Sequence, residues 1–369
     1  MIELVGSSNR DGYWQALSAA FEMKDSVSKA PAKSALCKQR KRISYRFFRD
    51  PFLKMLRDFD QSRVTYRGLR VYGIDGFQLH LPRTKDIVDH GFTGRSVSKY
   101  RESYTPRMYL THAFDVLSGV TKDIRYSNRL HEQQDAEEMV LGLEKNSLSL
   151  YDRLYLSIRM LKAHKMAQNY FIMRGRDSLK KIVTFRASEK QKMRTKIRGH
   201  EVVLIKVLNE QTGETDVFVT NLPRGWINRK TIQALYMQRW EVEDSFRQLT
   251  ETHKIEQWHT KFWNGIQQEL FASLWFLNFC KIEILKKRRI TPEPRNWTYK
   301  KPNFKLIRWW ILRKFSRILK RIPGVLDALT ELIKKSTERR KHYSRRYPRQ
   351  IRGPASAYPY NNTVWAWDA

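Results

Sequence analysis

Three side chains near residue 240 have the types and spacing that phosphate chemistry needs. In the run LYMQRWEVEDSFRQL, Tyr236, Arg239 and Glu243 stand at i, i+3 and i+7. On a helix they form one column, which Arg247 extends by a turn. A carboxylate held among cations and an aromatic ring suits a metal-bound phosphodiester. The same column also reads as a solvated ion-pair face with Tyr236 as a half-buried anchor. Two more carboxylates, Asp75 and Asp152, each close a predicted strand, the position where open α/β sheets bind ligands. Three oxygen donors from remote parts of a chain can hold two divalent cations, and Mg²⁺ favours such sparse carboxylate ligation beside a substrate phosphate. Two ions ~3.5–4 Å apart stabilise the attacking and leaving oxygens of an in-line displacement at phosphorus. Each carboxylate has a plainer reading too. Asp75-Gly76 is an ordinary hairpin-turn signal, and Asp152-Arg153 is a possible surface ion pair of little energetic worth.

Other constellations are poorer. The run HEQQD begins with His131-Glu132 but lacks the second histidine of a zinc-protease helix, so it reads as the acidic start of a helix. A GxxxxGK[ST] loop is absent, which argues against nucleotide hydrolysis. Trp226 reads as a packing anchor, with stacking on an unstacked base as the alternative. Trp240 reads as core, and Phe271, Trp275 and Phe279 at i, i+4, i+8 read as the core stripe of a helix.

The elements that must position these residues follow from periodicity. Residues 1–67 read as a helical N-terminal region. Asp11 is a cap for a first helix carrying Trp14, Leu17 and Phe21, Ser34 caps a second, and Pro51 fits the first turn of a third. The basic middle of this region suits a DNA-binding module, or equally a helical cap on the main core with a solvated face. From residue 69 the period shortens. LRVYGID reads as a strand ending at an Asp75-Gly76 turn, with FQLHL as its hairpin partner. RMYLTHAFDVLSG and KDIRYSN read as further strands. A helix over about 131–145, the strand LSLYD, the helix LYLSIRMLKAH and the strand NYFIMRG complete a mixed α/β sheet. Within 176–221, IVTFRA, EVVLIKVL and TDVFVTNL read as strands of a small β insertion. Helices resume at about 228–253, opened by Asn228, and at about 264–287.

Composition narrows the partners. The 369 residues carry 71 Lys and Arg against 37 Asp and Glu, a formal charge of +34. Such an excess repels itself unless a polyanion offsets it, and nucleic acid is the expected one, with a ribosomal or anionic-membrane partner as the alternative. Residues 281–352 alone hold 24 Lys and Arg against 5 Asp and Glu. Two distant cysteines, Cys37 and Cys280, offer neither a disulfide framework nor a zinc cluster and fit a reducing cytosol. The longest apolar stretch, LFASLWFLNF, is too short to span a membrane, and the N-terminus lacks the basic and apolar regions of a signal peptide.

With these residues in place, the chain resembles a family. VYGIDGFQLHLP resembles the first-aspartate strand of bacterial insertion-sequence transposases of the DDE class, and LSLYDRLYLS resembles their second-aspartate segment. VFVTNLPRGWINRKTIQALYMQRWEVEDSFRQL resembles their signature block around the glutamate. The spacing of Tyr236, Arg239 and Glu243 is similar to that of the insertion-sequence-four family, named for a Tyr–Arg–Glu–Lys signature, over roughly residues 30–285. The resemblance implies a ribonuclease-H-like catalytic domain over 68–285, its β insertion (176–221) lying before the last acidic residue. A helical N-terminal region (1–67) and a basic C-terminal region (286–369) flank it. It implies Asp75, Asp152 and Glu243 as ligands of two Mg²⁺ or Mn²⁺ ions, and Tyr236 and Arg239 as phosphate-holding residues. It also implies double-stranded DNA as partner, both the terminal inverted repeats of the element and target DNA, with a homodimer on DNA, no membrane, and a cytoplasmic, nucleoid-associated location. The signature lysine falls at Thr250. Arg247 keeps a cation at a neighbouring position, and Lys254, read as one turn beyond Thr250 on the same face, is the candidate substitute. The leading expectation is therefore a DNA transposase working by metal-assisted phosphoryl transfer. A related structure-specific nuclease and a relic that binds DNA without cutting are the alternatives.

Overall fold

The computed structural model describes residues 32–59, 64–97, 102–208, 213–287 and 300–339. The first predicted helix, opened by Asp11, and the aromatic tail after Pro354 lie outside them. Helix α1 (Lys33–Arg42) is preceded by Ala32 without a side-chain cap, so Ser34 sits inside it rather than capping it. Helix α2 (Arg46–Phe59) contains Pro51 at its sixth position, not in its first turn. The helix starts early because Phe48 already packs with Phe52 and Leu56 in the core beneath it.

Strand β1 (Val71–His80) holds the largest departure from the expected elements. Asp75-Gly76 is not a turn. Gly76 avoids positive φ, and the ten residues run straight on. The reason lies in a partner remote in sequence: after helix α3 (Lys85–Asp89) and the small ribbon of β2 (Arg95–Val97) and β3 (Glu102–Tyr104), strand β4 (Arg107–Asp115) pairs antiparallel with β1 from Tyr72↔Asp115 to His80↔Arg107. A continuous ladder satisfies the backbone groups on that side, which a hairpin at residue 75 would leave unpaired. Strand β5 (Val120–Ser127) then pairs antiparallel with β4.

Helix α4 (Glu132–Gly142), strand β6 (Leu148–Tyr151), helix α5 (Ile158–Ala167) and strand β7 (Tyr170–Arg174) follow in the expected order. The run IVTFRA is helical, not extended: it forms helix α6 (Lys180–Ala187). Ile182 and Phe185, three apart, both bury. That spacing closes one helical face over the sheet, and a short β-branched run cannot be told from a strand by composition. Strands β8 (Lys192–Ile197), β9 (His200–Leu208) and β10 (Thr215–Thr220) do not make a separate unit but continue the central sheet, whose order is β5-β4-β1-β6-β7-β10-β9-β8. Among the described residues of this sheet, only β1/β6 and β6/β7 are parallel. Three antiparallel strands followed by two parallel ones, with β1 central, is the ribonuclease-H-like arrangement anticipated above, here widened by three antiparallel strands.

Helices cover both faces. On one side Tyr72 and Ile74 of β1 pack with Met139 of α4, Met160 of α5 and Phe185 of α6. On the other, Val71 packs beneath helices α7 (Arg229–Met237) and α8 (Trp240–Arg247) through Ile232, Leu235 and Val242. Helix α9 (Trp263–Lys287) buries the stretch predicted as an internal helix and joins α2 through Phe52, Leu56, Leu270 and Phe271. Beyond β11 (Lys300–Pro302), helices α10 (Phe304–Leu319) and α11 (Val325–Lys335) pack on the far end of α9 around Phe276, Ile311 and Leu329, and β12 (Thr337–Arg339) pairs with β11. Among the described residues no helix is long and apolar enough to cross a membrane.

Candidate active site

Side chains alternate along β1, so Val71, Gly73 and Asp75 share the face turned to α7 and α8. Gly73 is what lets α8 approach. A Cβ there would lie 2.1 Å from Val242 Cγ2, and an isolated glycine in a strand often marks such contact. Val242 is buried under the sheet, which sets the adjoining Glu243 beside the strand. Asp152 arrives from the neighbouring strand. Gly73 pairs with Leu150 in the parallel ladder. The chain stays extended through Asp152 (φ −73°, ψ 173°), one residue past the end of β6, so the register of the ladder, if continued, carries Asp152 toward Asp75.

A single guanidinium joins two of the three carboxylates. Arg239 Nη1 donates to Asp75 Oδ2 at 3.0 Å, and its Nη2 donates to Glu243 Oε1 at 2.8 Å. Arg239 sits in a tight turn between α7 and α8, closed by i→i−3 bonds from Gln238 to Leu235, from Arg239 to Tyr236 and from Val242 to Arg239. The predicted single helix is therefore two, and the turn directs Arg239 inward. Its side chain is 8% exposed, against 20% for Asp75 and 33% for Glu243. Burial opposes its charge, but Tyr236, Asp75 and Glu243 outweigh that and raise its pKa. Burial pushes Asp75 up to about 7. Arg239 pulls against that rise, while the charges of Glu132 and Glu243 add to it. Tyr236 packs on Phe218 with ring centroids 4.5 Å apart and lies 5.7 Å from the Arg239 guanidinium. Burial, chiefly, lifts its hydroxyl to about 12, with Asp152 raising it further and Arg239 opposing. Asp152 is thus within electrostatic reach of Tyr236, and of Arg174 as well.

The remaining candidates lie further out. Arg247 pairs with Asp244 at 3.1 Å on the surface. A π turn (Gln248–Thr252) follows α8 and is closed by His253 N–H to Gln248 C=O at 2.8 Å. This wider turn breaks the i+7 register, and Thr250 bonds Phe246 C=O through its hydroxyl at 2.9 Å. Lys254 is not one helical turn beyond Thr250. It lies past the end of the π turn, exposed, at φ +54°, so the shared face expected from sequence does not exist. Trp240, expected in the core, is 37% exposed, with the Arg239 guanidinium 5.4 Å from its ring. Trp226 packs near Tyr170 at 6.4 Å with Arg67 over its ring at 5.4 Å. Glu132, read as a solvated helix start, instead accepts a hydrogen bond from Gly76 N–H at 3.0 Å. Gly73 carried a detectable signal in its position within an apolar run. Glu132 carried none, since its contact depends on how α4 docks.

Among the described residues, no three His, Cys, Asp or Glu side chains stand close enough to hold one ion as they are. The Arg239 guanidinium occupies the space between Asp75 and Glu243, where a cation would otherwise balance the charge. The donors themselves are hard carboxylate oxygens of the kind Mg²⁺ selects.

Comparison with known proteins places the chain. Residues 66–279 match the family model of the transposase DDE domain. The match spans more than half of the chain, and the protein belongs to that family. Among solved structures, the cryo-EM structure of piggyBac transposase synaptic complex with hairpin DNA is similar at 12% identity and a TM-score of 0.43, covering 74% of this chain. The chain spans 58% of the length of that protein. No curated protein matches the sequence.

Proposed function

We propose that the protein is a DNA transposase of the insertion-sequence-four type, which excises and inserts its own element by phosphoryl transfer at the terminal inverted repeats. The observation that carries this reading is the convergence of Asp75 and Glu243 on Arg239, and Asp152, one residue past the end of the strand parallel to β1, supports it. Asp75, Asp152 and Glu243 would hold two Mg²⁺ or Mn²⁺ ions. Bound there, the metal supplies charge stabilisation for the attacking and leaving oxygens of the transferred phosphoryl group.

The chain's own residues would do the rest. Arg239 keeps two carboxylates together in the absence of DNA and becomes available to the scissile phosphate once their charge is balanced otherwise. A guanidinium is suited to that by its fork of donors. Tyr236, anchored on Phe218, offers its hydroxyl beside it. Water attacks the phosphodiester at the element end first, and the released 3′-hydroxyl then attacks the opposite strand or the target. One geometry serves both steps. The helical N-terminal region, Arg247, Lys254 and the basic C-terminal region hold backbone phosphates, which positions DNA without reading sequence. Two ends are held together by a dimer assembled on DNA. The cell interior, around the nucleoid, is the site of action.

Incubating the protein with Mg²⁺ and a fragment bearing its own inverted repeats tests this. Cleavage followed by joining of 3′-ends to target supports a transposase, and cleavage without joining points to a nuclease. Thr250, whose hydroxyl is turned back to Phe246, favours a second reading, a relic that binds ends without cutting. Metal-dependent cleavage of the cognate ends removes that reading.

A further inference from the structure

Glu132 stands inside the acidic cluster. It opens α4, and its Oε1 accepts hydrogen bonds from Gly76 N–H at 3.0 Å and from the Tyr155 hydroxyl. The same Gly76 N–H reaches Asp75 Oδ1 at 3.0 Å, so one backbone donor is shared by two carboxylates. The fit is close: a Cβ at residue 76 would lie 2.5 Å from Glu132 Cδ. Tyr155 is a fixed donor, fully buried with its ring 5.2 Å from that of Tyr151.

Charge decides what this arrangement is for. Both hydrogen bonds fall on one oxygen, and a glutamine at 132 would accept them equally well. A carboxylate adds repulsion with Asp75, which like charges at short range always incur. Asp75 and Glu243 share the guanidinium of Arg239, and Glu132 adds its charge beside Asp75 through the common Gly76 N–H. A surplus of negative charge in a half-buried cluster is unfavourable for the protein alone and favourable for binding a cation.

We propose that Glu132 is a fourth acidic member of the site: a positioning residue that fixes Asp75 through the shared Gly76 N–H, and whose charge tightens the hold on a divalent cation. The proposal rests on the metal-dependent reading above. Its test is calorimetric titration of Mn²⁺ into the full chain without DNA, comparing wild type with D75A, E132Q and E132D. Wild type is expected to show a binding component that D75A removes. E132Q is expected to weaken that component about 10- to 100-fold, as loss of an outer-shell partner does, with its thermal midpoint near wild type. E132D, which keeps the charge with a shorter reach, should bind Mn²⁺ more tightly than E132Q. Wild-type affinity in E132Q, or E132D binding more weakly than E132Q, overturns the role of Glu132 and leaves the metal reading standing. A wild-type chain with no Asp75-dependent component overturns the metal reading itself.

Discussion

Gly73 and Val242 touch so closely that a methyl group on residue 73 would sit 2.1 Å from Val242 Cγ2. This contact, between strand and helix 169 positions apart in sequence, sets the distance from Glu243 to Asp75. Gly73→Ala is therefore expected to push α8 outward. Overpacking of this kind costs about 1–3 kcal/mol, and a displacement near 1 Å costs about 10²-fold in rate. Cleavage of inverted-repeat ends should fall by about that factor while DNA binding, measured by gel shift, stays within a few-fold. Wild-type cleavage by the folded variant would mean that the approach of α8 does not set the site.

Arg239 occupies the place of a cation between Asp75 and Glu243. Removing its charge in Arg239→Ala leaves two neighbouring carboxylates facing each other. The cost should be about 1–3 kcal/mol, below that of breaking a fully buried pair because Glu243 is one-third exposed. A divalent cation should restore what the mutation removes. Mn²⁺ is expected to raise the thermal midpoint of the variant more than that of wild type. An equal rise in both would show that the guanidinium and the ion do not share a position.

Asp75 and Glu243 should each be indispensable for cutting and dispensable for holding DNA. Asp75→Ala and Glu243→Ala are expected to reduce cleavage to background with DNA affinity nearly unchanged. Persistent cleavage by either variant removes it from the ligand set.

Stability should fall steeply in mild acid. Burial holds His112, His164 and His253 each down at about 3. Unfolding releases them to about 6.5, so their contribution is present in full above that pH and is lost as pH falls toward 3. Asp75 acts oppositely. Raised to about 7 when folded, it takes up a proton on folding between roughly pH 4 and 7, so acidification through that window favours the folded state. Near pH 7 the two effects roughly cancel. At pH 5 the protons bound by the three unfolded histidines outnumber the one bound by folded Asp75, so stability falls by roughly 3 kcal/mol per pH unit there. Urea denaturation at pH 7, 6 and 5 should show that steepening, and a profile rising toward acid would contradict it.

The charge of +34 predicts electrostatic affinity for DNA. A plot of log Kd against log salt should be linear and steep, because each neutralised phosphate releases counterions. A flat plot would leave the charge without a partner.

Local pattern was enough to read the order and type of most elements, the basic character, and the acidic and aromatic residues available for chemistry. Alternation along LRVYGID and the apolar stripe of LFASLWFLNF are local signals, carried within one element and independent of where it docks. The remaining features came from long-range packing. Asp75-Gly76 has the composition of a turn, yet β4 pairs along all of β1 and holds it straight. Ile182 and Phe185 became a helix face because the sheet offered a surface to cover. The register from Glu243 to Lys254 failed at a π turn that no residue type announces. Arg239 between two carboxylates and Glu132 on Gly76 depend on segments remote in the chain meeting within hydrogen-bond distance. Periodicity describes how one segment repeats along itself, and it holds no information about which distant segment will pack against it.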